Sequence, residues 1–525
     1  MSHPAFPRPA LTGRAIRSGS VAAAVAQVIA LFGPAQQAHA QGVPSSALTA
    51  QELLDQYSPV ERDFAIAVAT LDNARQTTFF CTEGCTAELE NTLFTMSNLI
   101  SEANARLQGG EGPYNIDIDS VDRFDNALRW LAPEELFALA PIATGFANGQ
   151  LGTLDSHMEN TRSVSRARLF ANNVVSPTLK RGYAATSGAG SAGDSFSRLN
   201  LFFDVSAAFG DRTDTTDTGS EDAFDFDGNE LALGLDWRFS DHLVAGGLVG
   251  YTDRKVDFDV NKSAADGNID ADGFSLLAFT QWDDLRWYGS LAAGYQKLKY
   301  DFTRRIAVIA ESDDPGNFGA PDAVAQGSSD GSGLLAALNV GMPFQWGGWG
   351  TDIFLKATWQ KQSIDGFSED LTQINSDPAA AGFAYNVGKQ DIKSFDTALG
   401  FKVQYVATPS FGVLIPFLRG EFHQQLEDSP RVVDLEFQGL DDPGLTPDQV
   451  ATLQDAFQFQ LRSDRPDKSW ISAAIGASAV IRGSSRVSDA GRGAGGLQCY
   501  LQYSTVFGLA HYSNSAISAG LRYEF

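Results

Sequence analysis

Beyond its first forty residues, the 525-residue chain has no uninterrupted run of 18 or more apolar residues. A membrane-spanning helix requires such a run, so no helix of that kind is expected. Hydrophobic residues nevertheless make up 43% of the chain, aromatic residues make up 11%, and there are 51 glycines. If the chain spans a membrane, its spanning elements must be strands, whose polar side lowers the hydrophobicity of each segment.

Positive charge is scarce as well. The chain has 38 Lys and Arg residues against 64 Asp and Glu residues, which gives a formal net charge of −26. Recognition of nucleic acid needs clustered cations that neutralise phosphates, so nucleic acid is not an expected partner. An acidic excess of this kind mainly indicates a well-solvated surface.

Cysteine is rare, with three residues in the whole chain. Cys81 and Cys85 lie four residues apart in CTEGC, and at helical spacing their Cα atoms would be about 6 Å apart, within reach of a disulfide. A metal site is not expected here, because no second pair of Cys or His accompanies them. We predict a local disulfide, with two free thiols as the alternative.

The sequence also lacks a recognisable catalytic or metal-binding pattern. Its six histidines are scattered, and we find no nucleophile elbow. Carboxylates are dense in residues 211–230 and 266–273, but neither stretch has the full spacing of a calcium loop. We therefore predict no enzyme activity, no catalytic residue, no cofactor and no metal site. His423, near the base of a loop, could serve a hydrolase, although an incidental histidine is the simpler interpretation.

What is present begins with a secretory signal. A leader with three arginines precedes an apolar run at 21–33, and the small residues Ala38 and Ala40 follow. This order is typical of a signal peptide that is cleaved after Ala40, so residues 1–40 are assigned to it. An uncleaved anchor is the weaker alternative, because the apolar run is too short to span a bilayer.

A helical region follows. From residue 41 to about residue 182, apolar residues recur at intervals of three and four, as on amphipathic helices. We predict a helical N-terminal domain at 41–150 and a linker at 151–195, which ends in a stretch rich in Gly, Ser and Ala. Helices of this kind are more often structural than catalytic.

Beyond about residue 195 the period changes from 3.6 to two. Apolar side chains from Leu199 to Phe209 alternate with polar ones, as in a strand with one apolar face. We count about twelve such segments up to the C-terminus, each long enough to cross a bilayer as a tilted strand.

The connections between these segments alternate in length. Short turns, which are flanked by tryptophans, alternate with long polar loops, predicted at about 210–228, 303–331, 362–390 and 424–468. This alternation predicts a mainly β fold, an outer-membrane barrel of about twelve antiparallel strands over residues 196–525. A soluble β-sandwich is the weaker alternative.

The final strand carries the same alternation. Its apolar residues Leu521, Tyr523 and Phe525 are predicted to face lipid, and its edge is predicted to pair with the first strand. Closure of the cylinder would leave no unsatisfied backbone group in the hydrocarbon.

A basic segment lies just before the first strand. No Asp or Glu occurs between residues 160 and 193, whereas Arg162, Arg166 and Arg168 are present. A helix from Arg162 to Arg181 would be about 30 Å long, the thickness of a bilayer core. We predict that this helix lies in the pore and pairs with acids on the lumen wall; a solvated linker is the alternative. The predicted lumen acids are Asp204, Glu230, Asp236, Asp352, Asp396 and Glu524.

Taken in order, the signal peptide, the N-terminal segment, the pore-length helix, the strands and the terminal Tyr523-Glu524-Phe525 resemble the autotransporters of type V secretion. The resemblance covers about residues 150–525, and SAISAGLRYEF resembles the last strand of their translocator domain. It implies that Leu521, Tyr523 and Phe525 signal to the barrel-assembly machinery of a Gram-negative outer membrane. It also implies that the N-terminal segment crosses through the barrel without nucleotide hydrolysis.

The N-terminal part departs from the family pattern. Most members export long β-helices built from repeats, and no repeat of 20–50 residues is found here. The expected function is export or display of a short helical segment at the cell surface, by a monomer in contact with outer-membrane lipid and lipopolysaccharide. A porin-like barrel with a periplasmic helical domain is the alternative. The pair Asn172-Asn173 resembles the self-cleavage site of some members, so release of the segment stays open.

Overall fold

The computed structural model describes most of the chain after residue 58. The described residues are 59–78, 86–107, 128–174, 198–213, 221–240, 242–263, 265–284, 286–307, 322–374, 382–409, 412–427, 429–442, 444–481 and 497–524. The predicted signal peptide at 1–40, the predicted disulfide between Cys81 and Cys85, and the terminal Phe525 lie outside them.

Strands dominate the described residues. Their bounds are β1 (Leu199–Arg212), β2 (Phe224–Arg238), β3 (Leu243–Phe258), β4 (Gly267–Asp283), β5 (Tyr288–Ala307), β6 (Asp322–Trp346), β7 (Trp349–Ile364), β8 (Phe367–Ser368), β9 (Asp370–Ile374), β10 (Tyr385–Val387), β11 (Gln390–Tyr405), β12 (Gly412–Gln425), β13 (Val432–Phe437), β14 (Gln458–Arg462), β15 (Ser469–Ile481), β16 (Leu497–Phe507) and β17 (Ser515–Glu524).

The helices are fewer. Their bounds are α1 (Pro59–Thr78), α2 (Ala87–Leu107), α3 (Leu139–Val174) and α4 (Pro447–Phe457), and a 3-10 helix at Glu134–Ala138 leads into α3. The domain boundary predicted at residue 150 falls inside α3, which runs through it without a break. In the described part of the chain, no helix combines the length and the apolar character that crossing a bilayer requires.

Twelve of the strands close into a cylinder. They pair antiparallel in the order β1 to β7, β11, β12, β15, β16 and β17. Strand β17 then pairs back onto β1, from Asn200 opposite Glu524 to Phe209 opposite Ser515. Closure satisfies backbone groups that lipid could not satisfy. The structure thus confirms the predicted barrel of about twelve antiparallel strands with an N-terminal helical region.

The two faces of the wall differ as the alternating sequence predicts. On β2, the side chains of Leu231, Leu233 and Leu235 are 45%, 54% and 50% exposed on the outside. On either side of this stretch, Glu230 and Asp236 point inward and are buried. An apolar outside and a polar inside suit a barrel in lipid.

The connections divide the barrel into two ends. The short connections between β2 and β3 and between β6 and β7 lie at the end where β1 begins, which we call the short-turn end. The opposite end, the long-connection end, holds more structure than the polar loops we predicted. Residues 365–389 contain β8, β9 and β10, and residues 426–468 contain β13, α4 and β14.

These connections form a small folded unit. Strands β14, β13, β10 and β8 make a second, four-stranded sheet. Helix α4 begins at Pro447, whose fixed φ suits a first helical turn, and Thr446 and Gln449 form a capping box there. These local sequence signals mark the start of a helix within a segment that we predicted to be a loop.

The N-terminal helices share a hydrophobic core with this unit. The ring of Phe64 on α1 lies 6.3 Å from the ring of Tyr385 on β10 and 6.0 Å from the ring of Phe459 on β14. The described residues between 59 and 138, which we call the cap, therefore cover the long-connection end.

Candidate functional site in the barrel bore

Helix α3 runs through the inside of the cylinder from one end to the other. Just before it, the carbonyl oxygen of Leu131 accepts a hydrogen bond from the hydroxyl of Tyr385 at 3.0 Å, at the long-connection end. Further along, Oγ of Ser163 donates to Oε1 of Gln404 at 2.8 Å, next to a short turn. The chain therefore enters the bore at the long-connection end and reaches the short-turn end near Ser163.

The part of α3 inside the bore differs from the predicted pore helix. Ala143 bonds to the wall through its carbonyl oxygen, which accepts from Nε2 of Gln296 at 2.9 Å. From Ala143 to Ser163 a helix rises about 30 Å, the length we predicted. The segment nevertheless lies about twenty residues earlier than the predicted helix at 162–181.

Arg162 is the predicted pore-helix residue whose side chain the structure describes. It is buried, and its guanidinium lies 4.0 Å from the centre of the Tyr288 ring on the wall. Arg166 and Arg168 continue along α3, and their side chains lie outside the described residues.

Part of the charge pairing between α3 and the wall has the opposite sign to the one we predicted. Asp155 on α3 lies 3.4 Å from Nζ of Lys356, and Glu159 lies 2.8 Å from Arg419. Lys402 on the wall also pairs with Glu159. In these pairs the helix supplies the acids and the wall supplies the bases. The acid-free segment that guided the prediction begins just after Glu159 and therefore leaves out both of these helix acids.

Two of the predicted lumen acids do contact α3. Asp236 lies 3.2 Å from Nε2 of His157 on the helix and 3.2 Å from Arg522 on the last strand. Glu230 accepts a hydrogen bond from Nε2 of Gln150 at 3.3 Å. These buried polar contacts bind the helix to the side of the wall formed by β2.

The remaining predicted lumen acids occupy the wall itself. Asp204 is buried and accepts a hydrogen bond from the hydroxyl of Tyr500 at 2.5 Å. Asp352 is buried on the inner face of β7. The side chain of Glu524 lies outside the described residues.

Asp396 lies beside His423 in an arrangement that resembles a catalytic relay. Nδ1 of His423 is 2.9 Å from Asp396, and Nε2 is 3.0 Å from Oγ of Ser472. Glu421, however, lies 3.1 Å from the same Nε2. A general base needs that lone pair free for the serine proton, and a carboxylate so close holds a proton on the nitrogen instead. The geometry favours a structural network.

Glycines allow α3 to lie close against the wall. A Cβ atom at Gly149 would overlap the carboxylate of Glu230, and one at Gly145 would crowd the guanidinium of Arg254. A Cβ atom at Gly152 would meet nothing within 4 Å. The spacing of Gly145 and Gly149, one helical turn apart, is the sequence signal that could have located the bore segment.

A buried ion pair joins the barrel to the four-stranded sheet. Arg304 on β5 donates to both carboxylate oxygens of Glu369, at 3.1 and 2.7 Å, and to the carbonyl oxygen of Phe383 at 2.9 Å. Glu369 also accepts from the backbone N–H of Tyr385 at 3.0 Å. This bidentate geometry fixes the surface on which the cap packs.

Polar contacts hold the cap in place. The backbone N–H of Thr86 donates to Asp442, and the hydroxyl of Thr92 donates to the carbonyl oxygen of Gln438 at 2.9 Å. The cap is thus bound to the segment between β13 and α4 by directed bonds as well as by the shared core.

Two adjacent acids are buried where the cap meets the barrel. Glu134 and Glu135 are 2% and 7% exposed. Burial raises the pKa of Glu135 to about 8, although the nearby Arg304 acts in the opposite direction. Burial, together with the carboxylate of Asp222, also raises the pKa of Glu134. Both acids therefore favour the docked cap when they are protonated.

The last strand presents two of the three predicted assembly residues to the outside. Leu521 and Tyr523 are 50% and 44% exposed on the outer face of β17. Their role in barrel assembly stays a prediction, as does that of Phe525. Among the described side chains, no three His, Cys, Asp or Glu residues are grouped so that they could hold a metal ion.

Comparison with known proteins identifies the fold family. A family model described as the autotransporter beta-domain matches residues 205–488. Among solved structures, the translocator domain of the autotransporter NalP from Neisseria meningitidis is 12% identical, with a TM-score of 0.42 over 70% of this chain and 98% of that one. The transport unit of the autotransporter AIDA-I from Escherichia coli is 11% identical, with a TM-score of 0.32 over 69% and 98%.

No curated protein sequence matches the chain. The family model alone spans more than half of the chain and includes most of the wall of the barrel. The chain belongs to the autotransporter β-domain family and is a translocator barrel of the Gram-negative outer membrane.

Proposed function

We propose that this translocator exports its own N-terminal helical segment and displays it on the cell surface. The exported part is the cap together with the preceding residues back to the predicted cleavage site after Ala40. No nucleotide is consumed. Burial of the apolar residues of the cap, such as Phe64, against the long-connection end supplies a driving force on the outer side.

The direction of α3 carries the proposal. The cap precedes α3 and lies at the long-connection end, whereas β1 follows α3 and begins at the short-turn end. In this arrangement the chain threads its own barrel once, which is the state expected after export of the N-terminal segment. Outer-membrane barrels have short turns on the periplasmic side and longer loops outside, which supports an external position for the cap.

The contacts of the cap favour display over release. The cap shares a core with β10 and β14, and α3 is held by buried ion pairs to the wall. The pair Asn172-Asn173 lies beyond Ser163 on α3, past the short-turn end of the bore. Cleavage there would leave the bore segment attached to the cap, so the cap would stay bound.

The same arrangement supports a set of partners for the barrel. The barrel is a monomer that the barrel-assembly machinery inserts and that contacts outer-membrane lipid and lipopolysaccharide. Each of the twelve wall strands already has two neighbours, so the sheet offers no open edge to a second copy. The outward Leu521 and Tyr523 support recognition of the last strand during assembly.

Cysteine labelling on intact cells tests the proposal. In a background with Cys81, Cys85 and Cys499 replaced by Ser, one variant carries Phe94→Cys, on an α2 side chain that is 57% exposed. Its matched control carries Ser240→Cys, in an exposed short turn. The reagent is a maleimide on a polymer too large to cross the outer membrane.

Export predicts that Phe94→Cys reacts in intact cells and that Ser240→Cys reacts only after the cells are lysed. Labelling of Ser240→Cys alone in intact cells would overturn the proposal. Equal protection of both sites until lysis would also overturn it and would favour the porin-like alternative with a periplasmic helical domain.

A further inference from the structure

Two lysines face each other directly on the outside of the barrel. Lys361 on β7 and Lys393 on β11 are register partners in the antiparallel pair, and both side chains are exposed. Directly opposed residues have Cβ atoms about 5 Å apart, and like charges in that position are destabilising. The arrangement is unfavourable unless an anion lies between the two ammonium groups.

Other exposed lysines of the wall have acidic partners on their own face. Lys297 pairs with Asp330, and Lys299 pairs with Asp301. Among the described residues, neither Lys361 nor Lys393 makes an ion pair, although Asp391 is exposed two positions from Lys393 on the same face. The two cations are therefore left available to a ligand from outside the chain.

The depth of the pair places it at a membrane surface. On β7 the outward side chains from Trp349 to Trp359 form an apolar band that ends just before Lys361, and Trp349 and Trp359 are 47% and 41% exposed. Ten residues of strand span about 33 Å, which becomes about 25 Å across the membrane when tilted, the usual height of the apolar band. Lys361 and Lys393 thus lie at headgroup level at the long-connection end.

Aromatic side chains lie directly beneath the lysines. Trp359 and Phe395 are the register partners one step closer to the membrane centre, and they are 41% and 38% exposed. Such rings sit at the boundary between acyl chains and headgroups. A pair of cations above a pair of aromatic rings suits a lipid with a phosphorylated headgroup and acyl chains below it.

We infer that Lys361 and Lys393 form a binding site for a phosphate group of a phosphorylated glycolipid of the lipid A class, with the acyl chains of the lipid resting on Trp359 and Phe395. Ammonium groups on both sides of a phosphate make charge-assisted hydrogen bonds and remove the repulsion between the lysines. The site rests on the outward orientation of the long-connection end proposed above, and it gives the predicted contact with lipopolysaccharide a location.

Native mass spectrometry of the purified full-length protein in neutral detergent tests this site, with diphosphorylated lipid A as the probe. The variant carries Lys361→Gln and Lys393→Gln. The matched control carries Lys297→Gln and Lys299→Gln, which removes two exposed lysines that already have acidic partners. We expect the first variant to bind the probe about tenfold or more weakly and the control to bind it like the wild type. Equal affinity of all three proteins, or an equal loss in both variants, would overturn the site.

Two further measurements identify the ligand and exclude a folding defect. Lipid A without phosphates, phosphatidylglycerol and inorganic phosphate should each bind the wild type and the first variant equally weakly. Tight binding of any of them by Lys361 and Lys393 would overturn the assignment to lipid A.

The thermal unfolding midpoint of the first variant should match or exceed that of the wild type in detergent alone, and should fall below it once lipid A is added. A midpoint that is lower without lipid would overturn the inference by showing that the lysines serve the fold. These outcomes are independent of the cysteine-labelling experiment on intact cells, because that experiment reports only on which side of the membrane the cap lies.

Discussion

The guanidinium of Arg419 on β12 lies 2.8 Å from a carboxylate oxygen of Glu159 on α3. Both side chains are buried within the bore. This pair joins the helix that fills the pore to the wall that surrounds it. The stability of the barrel and the occupancy of its bore are therefore linked, and each can be altered by changing a single residue.

Removal of the Glu159 carboxylate should destabilise the folded barrel. Glu159→Ala leaves Arg419 and Lys402 without this partner in a buried site, and breaking a buried pair in this way costs about 3 kcal/mol or more. The free energy of unfolding in urea, followed by tryptophan fluorescence of the detergent-solubilised protein, measures the change. As a control, Asp301→Asn breaks the exposed pair with Lys299 and should leave that free energy unchanged. Similar effects of both variants would show that the bore pair does not stabilise the barrel.

Two glycines on α3 provide a matched test of how closely the helix packs. Gly→Ala in the interior of a helix ordinarily stabilises by up to about 1 kcal/mol. We expect this gain for Gly152→Ala, where a Cβ atom has open space. Gly149→Ala should instead lower the free energy of unfolding by about 1–3 kcal/mol, because its methyl group meets Glu230. A stabilisation of equal size at both positions would contradict the packing of α3 against β2.

Docking of the cap should depend on pH. The pKa of Glu135 is about 8 when the cap is docked and about 4.3 for a glutamate in water. An acid with a raised pKa contributes stability that is fully present below about pH 4 and is lost as the pH rises through about 8. Limited proteolysis of the purified protein, with a protease active over the whole range, should therefore cut the cap faster at pH 9 than at pH 6.

Glu135→Gln identifies the group responsible for this dependence. The amide stays neutral, so the ratio of cutting rates at pH 9 and pH 6 should fall clearly below the wild-type ratio, and the dependence that remains is due to Glu134. Glu427→Gln, at an exposed position near the long-connection end, should keep the wild-type ratio. An unchanged ratio in Glu135→Gln would show that another group controls docking.

The barrel could be predicted from the sequence because its physical signal is local. Each wall strand must present apolar residues to lipid and polar residues to the bore, so the alternation from Leu199 to Phe209 marks β1 without knowledge of its neighbours. The ends of the strands could be predicted less well from the sequence. Polar residues beyond the membrane, such as Asp225 and Asp227, continue β2 because its pairing with β1 and β3 continues there. The local sequence pattern does not show which strands pair with it.

We predicted the bore segment of α3 too late in the sequence, because its ion pairs depend on residues of the wall as well as on residues of the helix. Asp155 and Glu159 lie one turn apart, and each is stabilised by bases that come from strands about 200 or more residues away. Their spacing was visible, but their partners were not. The same limit hid the small sheet at the long-connection end, where Tyr385 and Phe437 pair across a long stretch of sequence.

A cysteine cross-link between helix and wall tests most directly whether the chain fills its own barrel. Oδ1 of Asn160 and Oγ of Ser478 lie 2.5 Å apart. In a background without native cysteines, Asn160→Cys with Ser478→Cys should form a disulfide in intact cells under mild oxidation, detected as a linked peptide by mass spectrometry. Gly152→Cys with Ser478→Cys should not link, because Gly152 lies about two turns before Asn160 on α3. A folded, heat-modifiable barrel that lacks the first link, or that forms both links equally, would contradict the account.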